Sequence, residues 1–455
     1  MNTRPPSATL DVQQFIDERP FSPYQVLIFV LCFLIMAADG FDTVAMGFVV
    51  PVLAKEWSFA THLFGPVLSA SLVGLAIGAL IAGPVADRVG RKPVLIVSVL
   101  AFSAFSLATA YAESLTALTL WRFLTGLGLG AATPNATTLL AESVPARRRA
   151  LLLNGIYCGF TLGAATGGFA AAAIIPAFGW RGVFVVGAVV PFLLAVVAAL
   201  TLPESIRFMV ARDWPADRVR SVLRRLTGVA EIAATRFIVE GESQQQAARG
   251  RSPVAQILAR EHRVGTLMLW AGYFMGVLVL YLVTSWLPTL IKESGVDLRT
   301  ASQVAALFPL GGALGAVLCG WLIDRLEAHR IVAGAFVAAG VLVWALAQVL
   351  GDAAWLPALT FGSGFFTGAA IVSMPALAAA FYPTQSRASG IAWMLGIGRI
   401  GGILGAVLGG VLLQIGFGAA AIVALLAVPA FIAAAAVIFK GARRAPRRPA
   451  IVVGA

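Results

Sequence analysis

Two carboxylates in an otherwise apolar run set the chemical problem. Asp39 and Asp42 fall within a stretch from Leu31 to Phe48 that carries no other charge. Three residues apart, they share one face of a helix. An Asp at the centre of a bilayer-spanning helix costs about 2.5 to 3.5 kcal/mol on insertion scales. Two on one face must look into a protein interior or a water-filled cavity, where they could carry protons or hold cations. Phe41 stands between them. Two arginines sit in comparable runs. Arg122 lies about one and a half turns inside the outer boundary of its helix, so it either snorkels to the interface or pairs with a helix-1 carboxylate. Arg399 lies about ten residues from either end of its run, too deep to snorkel. Gly396, Gly398, Gly401, Gly402 and Gly405 surround it and are expected to leave room for a ligand. A guanidinium in a dry cavity suits bidentate capture of a carboxylate. Charge balance is the other reading, because two deep Asp and two deep Arg sum to zero.

The elements that must position these groups are membrane spans. Of 455 residues, 59% are hydrophobic and 12% charged, against about 25% charged in soluble domains. Apolar runs of about 20 residues, the length a bilayer requires, fall at 25–51, 63–83, 93–112, 116–141, 150–175, 182–202, 264–290, 300–323, 331–350, 355–381, 388–413 and 419–439. The pattern predicts an all-α integral membrane protein of twelve helices. Residues 1–24 form a polar N-terminal tail with no cleavable leader, 25–202 a first six-helix bundle, 203–263 a basic linker, 264–439 a second bundle and 440–455 a tail. The linker is expected to carry one or two short amphipathic helices, with its arginines solvated or facing lipid headgroups.

The net charge of +12 invites a nucleic-acid partner, but its distribution argues otherwise. Of the 33 Lys and Arg, 27 fall on one side of the predicted topology. The positive-inside rule then puts both termini in the cytoplasm. Cys32, Cys158 and Cys319 all lie in apolar runs and suggest neither a disulfide nor a metal site. No phosphate-binding GxxxxGK[ST] stretch is present. No cofactor is expected, and neither three scattered histidines nor any Ser/His/Asp constellation supports an enzyme.

The two halves repeat. Gly83, Asp87 and Arg88 match Gly320, Asp324 and Arg325 at an offset of 237, as Pro51, Leu53, Lys55 and Glu56 match Pro288, Leu290, Lys292 and Glu293. Pro145 and Arg149 match Pro383 and Arg387 at 238. A six-helix unit has been duplicated in parallel, an architecture that puts a substrate site near the midplane between repeats. Asp39 and Asp42 have no acidic counterparts, since Gly276 and Val279 stand there. Proton handling is thus expected in the first half and anion capture, by Arg399, in the second.

Gly83, Asp87, Arg88, Gly90, Arg91 and Lys92 resemble the Gly-x-x-x-Asp-Arg-x-Gly-Arg-Lys signature of the major facilitator superfamily. Glycines there make a tight turn and Asp87 can accept from Arg88 or Arg91. The resemblance implies that this loop latches the halves, with Asp324 and Arg325 a degenerate second copy. Gly159, Gly163, Gly167 and Gly168 are similar to the antiporter motif of the same superfamily, but Ala164 replaces its proline. Glu142 lies about 30 Å along its helix from Arg122, so it is expected to meet Arg147, Arg148 or Arg149 at a gate. Asp39-Gly-Phe41-Asp42, Arg122, Thr133-Pro-Asn135, Glu142, His329, Arg387 and Arg399 together resemble the aromatic acid:H+ symporter family, in the branch of 4-hydroxybenzoate and protocatechuate transporters. The resemblance covers essentially the whole chain.

It implies proton-coupled uptake of a small aromatic carboxylate across a bacterial inner membrane by a monomer, with the proton gradient as driving force. Asp39, Asp42 and Arg122 would couple protons. Arg399, Asn135, Phe41, Tyr281, Ser373 and Trp393 would bind substrate. Asp87, Arg88, Arg91, Glu142, Asp324, Arg325, His329 and Arg387 would gate. Asp42 is expected to pair with Arg122 and Asp39 to face the substrate. The rivals are a proton antiporter exporting aromatic compounds or drugs, and a sugar or polyol porter, for which Leu202-Pro-Glu204-Ser205 resembles a motif.

Overall fold

The computed structural model describes residues 9–229, 232, 234–239, 257–323, 325–352 and 354–442. The chain runs β1 (Thr9–Asp11), α1 (Val12–Asp17), α2 (Pro23–Glu56), α3 (Gly65–Val89), α4 (Arg91–Ala110), α5 (Leu115–Ser143) and α6 (Ala146–Thr201). Then follow α7 (Ile206–Ala211), α8 (Ala216–Thr227), β2 (Arg236–Ile238), α9 (Arg263–Glu293) and α10 (Leu298–Ile323). The last are α11 (Ala328–Gln348), α12 (Leu356–Phe381), α13 (Thr384–Gln414), α14 (Ala419–Leu425) and α15 (Ala427–Ala442).

Eleven helical stretches among the described residues are long and apolar enough to cross a membrane. The longest, α6, has 56 residues and contains Gly179 at φ 73°. A left-handed residue cannot continue a right-handed helix, and glycine adopts it without a Cβ penalty. Gly179 therefore divides α6 into two spans, which gives the twelve that the apolar runs predict. The last span continues to Ala442, so Lys440 belongs to a helix and not to a tail.

The described residues fall into two compact units. One comprises those within Met1–Gly250 and Thr284–Ala306, the other those within Arg251–Val283 and Leu307–Ala455. The cut is not simply at the linker, because the end of α9 and the start of α10 join the first unit. There Lys292 Nζ donates to the Pro51 carbonyl at 3.0 Å, and a Cβ on Gly47 would lie 2.8 Å from the Ser285 carbonyl oxygen.

Inside a membrane helices gain little from hydrophobic transfer and associate by close packing, which small residues permit. In the first unit α3 and α5 interlock through Gly74, Gly78, Gly126 and Gly130. A Cβ on any of them would collide with a backbone carbonyl of the facing helix: Phe123, Leu127, Ser71 and Leu75 respectively. In the second unit α10 and α12 use Gly311, Gly315, Gly364 and Gly368, which meet Phe361, Phe365, Phe308 and Gly312. These glycines stand at the repeat offsets of 237 and 238 from the first four. The duplication has kept the helix contact itself, residue by residue.

The N-terminal segment and the linker form a layer on the first unit. β1 pairs in parallel with β2, Leu10 opposite Phe237. Val12 and Ile16 on α1 pack with Val219, Leu223 and Leu226 on α8, all essentially inaccessible, in the core that continues into α2, α4 and α5. Asp17 Oδ1 accepts from the Ala146 amide at the start of α6 at 2.8 Å. The apolar face of the amphipathic α8 is therefore covered by protein. Of the linker's arginines Arg212, Arg218, Arg224 and Arg225 are exposed, while Arg207 and Arg220 are half-buried and donate to Gln13 Oε1 and the Ala234 carbonyl.

Candidate functional site

The charged centre of the first unit is built by α2, α4, α5 and α6. Arg122 on α5 reaches Asp42 on α2 with both terminal nitrogens, Nη1 to Oδ1 at 3.0 Å and Nη2 to Oδ2 at 2.8 Å. Nη2 also donates to the Asp42 carbonyl at 3.1 Å. Both side chains are 1% exposed. Ser106 on α4 adds a hydroxyl donor to Oδ1 at 3.2 Å, and the guanidinium lies 5.4 Å from the centre of the Phe184 ring on α6. Arg122 therefore does not snorkel. Fork-to-fork geometry and full desolvation make this a closed, neutral unit.

Asp39 lies one turn away on α2, 3% exposed. Its Oδ2 accepts from the Thr133 hydroxyl of α5 at 2.8 Å and its Oδ1 from the Thr43 hydroxyl at 3.3 Å. Asp42 is held by the Arg122 guanidinium, and Asp39 accepts a hydroxyl on each oxygen. On this part of α2, α6 approaches closely. A Cβ on Gly40 would strike the Phe160 carbonyl and one on Gly163 the Ala37 carbonyl.

Other expected contacts are placed differently. The Phe41 ring faces Gly187, 3.4 Å from where a Cβ would stand, and its backbone lies against Gly167; the ring is packed among α2 and α6. Asn135 is 3% exposed and its amide donates to the Ala131 carbonyl one turn back at 2.8 Å. Ser373 donates to the Ala369 carbonyl at 2.7 Å and approaches Cys319 Sγ at 3.2 Å.

In the second unit Arg399 is half-buried on α13. Four of its five glycines do not leave the room expected of them, while a Cβ on Gly396 would meet nothing within 4 Å. Gly401 and Gly405 meet the Phe274 and Leu278 carbonyls of α9, while the rings of Tyr273 and Tyr281 cover Gly398 and Gly402. A glycine face on one helix accepts another helix, as in the first unit, and α9 has taken it. This same packing brings Tyr281 within one turn of Arg399. Trp393 is 44% exposed and stacks on Trp270, centroids 6.0 Å apart.

The basic loop after α3 is organised by a residue the sequence reading assigned elsewhere. Glu204 Oε1 accepts from the amides of Arg91 and Lys92 at 2.9 and 3.2 Å, capping the first turn of α4, where a carboxylate also meets the positive helix end. Gly90, at φ 112°, leaves that seat free, since a Cβ would collide with the Glu204 carboxylate. Asp87 pairs with Arg91 at 2.7 Å and its carbonyl accepts from Arg212 at 2.9 Å. Arg88 is exposed. Ser205 donates to Glu142; Arg147 turns to the Arg19 carbonyl at 3.1 Å and Arg148 to the Phe21 ring. The Leu202-Pro-Glu204-Ser205 run, read as a likeness to sugar porters, thus ties α4, α5 and α7 together.

His329 Nε2 lies 2.9 Å from Lys440 Nζ, both buried, with the ammonium 4.8 Å from the Phe381 ring. Arg325 sits over Trp321 at 4.1 Å. Arg387 is exposed. Asp324 lies outside the described residues. Among those residues no group of three or more His, Cys, Asp or Glu could hold a metal ion.

The sequence reading missed Thr43, Thr133 and Ser106 as ligands of the acids, and Lys440 as the partner of His329. Only Thr43 had a signal, its spacing of one turn from Asp39.

The chain matches the family model described as Major Facilitator Superfamily over residues 31–349 and 269–453. It is 48% identical over 95% of its length to a 4-hydroxybenzoate transporter PcaK of Pseudomonas aeruginosa, covering 96% of that protein. It is 44% identical to a gallate transporter of Pseudomonas putida, covering 98% of each chain. Among solved structures it resembles the xylose transporter XylE from E. coli with a TM-score of 0.70 at 15% identity, over 94% of this chain and 98% of that one; that likeness speaks for the fold alone. By its two bundles, its repeat and these matches, the chain belongs to the major facilitator superfamily, in the family of aromatic-acid transporters.

Proposed function

We propose that this protein takes up a hydroxybenzoate or protocatechuate-class aromatic carboxylic acid together with a proton, by alternating access across the bacterial inner membrane. Both termini would be cytoplasmic and the working unit a monomer. The observation that carries the reading is the 48% identity, over 95% of the chain, to a protein named as a 4-hydroxybenzoate transporter. Arg399 is the guanidinium suited to the substrate carboxylate, with Tyr281 beside it as an aromatic wall.

Asp39 is the proton carrier in this reading. Asp42 already has a cation on both oxygens, and protonating it would leave Arg122 buried and uncompensated. Asp39 accepts hydroxyls, which can reverse direction and become acceptors. One proton with one monoanion is electroneutral, whereas a second proton would add about 2.3 kcal/mol per 100 mV of drive.

Uptake of labelled 4-hydroxybenzoate into proteoliposomes tests this. A pH gradient, acid outside, is expected to concentrate the label, and a membrane potential alone is not. Accumulation driven by the potential would replace the one-proton reading by a two-proton one. Label that leaves loaded vesicles against its gradient when protons enter would favour the antiport alternative. Transport of xylose in place of the aromatic acid would favour a sugar porter.

A further inference from the structure

We propose that the last turn of α8 is a binding site for the phosphate of an anionic phospholipid, with Arg224 and Arg225 as its cations. Ser221, Arg224, Arg225, Gly228 and Val229 line a cavity of about 360 Å³, within the range of about 300 to 1,000 Å³ that small-molecule sites occupy. A Cβ on Gly228 would meet nothing within 4 Å, so that wall is open. Both arginines are exposed. A cation in the last turn also suits the negative end of a helix, which accounts for the charge but not for two guanidiniums on one concavity.

The other arginines of α8 are engaged. Arg220 pairs with Asp217 at 2.5 Å and donates to the Ala234 carbonyl at 3.0 Å, and Arg218 lies over the Trp214 ring at 5.7 Å. Among the described residues no carboxylate forms an ion pair with Arg224 or Arg225. Glu204 is committed to the amides of Arg91 and Lys92. The Lys92 side chain feels the charges of Glu204 and of Arg225. One carboxylate thus stands against Lys92 and Arg225, with Arg224 next in sequence. Guanidiniums present paired donors in the geometry that phosphate oxygens accept, and an anion among like charges offsets their repulsion.

Position selects a lipid over a soluble phosphate. Arg225 reaches the hydroxyl of Tyr24, and that hydroxyl donates to the Thr201 carbonyl at 2.6 Å. Tyr24 lies in the first turn of α2, Lys92 in the first turn of α4, and Thr201 is the last residue of α6. Arg225 therefore stands where three spans leave the bilayer on one side. One turn deeper, on the same helix faces as Tyr24 and Thr201, Leu27 and Val197 are 37% and 42% exposed. Surface for acyl chains begins one turn below the cations, which a phospholipid can use and free phosphate cannot. Basic residues at such a boundary attract anionic lipid in proportion to their number.

Native mass spectrometry of the full chain in detergent, with phosphatidylglycerol or phosphatidylcholine added at equal concentration, tests this. One phosphatidylglycerol is expected to be retained where phosphatidylcholine is not. Arg224→Gln combined with Arg225→Gln is expected to weaken that retention about 30-fold. Arg218→Gln, a charge change on the same helix outside the cavity, is expected to retain the lipid as the wild type does. Ser221→Glu sets a carboxylate in the cavity with both arginines kept, and is expected to reproduce the loss if the double variant does not fold. Equal retention of the two lipids overturns the proposal, as does retention unchanged in the double variant or in Ser221→Glu. A loss as large in Arg218→Gln as in the double variant also overturns it, since bulk charge and not the cavity would then hold the lipid. Glycerol 1-phosphate is expected to leave the lipid in place at equal concentration; displacement by it would make the site one for a soluble anion and overturn the lipid assignment.

Discussion

Arg122 and Asp42 meet through two parallel hydrogen bonds of 3.0 and 2.8 Å with both side chains 1% exposed. Neither can lose the other cheaply. Arg122→Ala or Asp42→Ala is expected to destabilise the protein by about 3 to 5 kcal/mol, because each leaves a buried charge unpaired. The double variant is expected to be more stable than either single one. Thermal unfolding in detergent completes the cycle; strictly additive losses would mean that the pair is not coupled.

Capping of α4 by Glu204 makes a second prediction. Two backbone amides, those of Arg91 and Lys92, depend on one carboxylate oxygen. Glu204→Ala is expected to cost about 0.5 to 2 kcal/mol, the range for loss of a helix cap, and Glu204→Gln less. Substrate preference is expected to stay unchanged in both. A gain or loss of sugar binding in a ligand-dependent melting assay would return this segment to a substrate role.

Glycine substitutions should separate contact from motif. Gly126→Val and its repeat partner Gly364→Val each drive a side chain into a facing carbonyl and are expected to abolish a monodisperse peak in size-exclusion chromatography. Gly83→Ala, in the signature loop, meets nothing within 4 Å and is expected to leave the peak intact. If Gly83→Ala is the disruptive one, loop sequence and not helix contact governs assembly.

The N-terminal layer predicts a change in protease sensitivity. Ile16 is 1% exposed within the core shared with α8. Ile16→Asp buries an unpaired charge and is expected to release α1 and α8 together, so that limited trypsin cleaves at Arg218, Arg220, Arg224 or Arg225 faster than in the wild type. Equal rates would show that α8 holds without the tail.

What was legible in the sequence follows from what is costly in a membrane. Charge is costly there, so depth left Arg122 either snorkelling or pairing with a helix-1 carboxylate, and the expected partner Asp42 is the one it holds. Glycine is informative only in part: the face of α5 is packing, as expected, while the glycine face of α13, expected to leave space for a ligand, meets α9 at four of its five glycines. A glycine marks close approach without saying what approaches. Thr133 was invisible as a ligand because a hydroxyl on a helix satisfies itself on its own backbone at no cost. The pairing of β1 with β2 joins segments of three residues across most of the first half, and no local pattern announces it. Glu204 and Lys440 were misassigned because their partners are distant in sequence.

The makeup of the first unit bears on biosynthesis. β1 cannot find β2 until residue 238 has been made, and Thr284–Ala306 arrives later still. The bundle translated first is therefore completed only after the second unit has begun, since Arg251–Val283 is made before Thr284–Ala306. It waits, with the end of α2 without Lys292, while the beginning of the second unit enters the membrane. Of two halves expressed as separate polypeptides cut at the linker, the C-terminal one would carry Thr284–Ala306, part of the first unit's fold, so co-expression is the way to recover such a split protein, and a ribosome stalled between residues 240 and 284 would present an unfinished first unit to the cell's quality control.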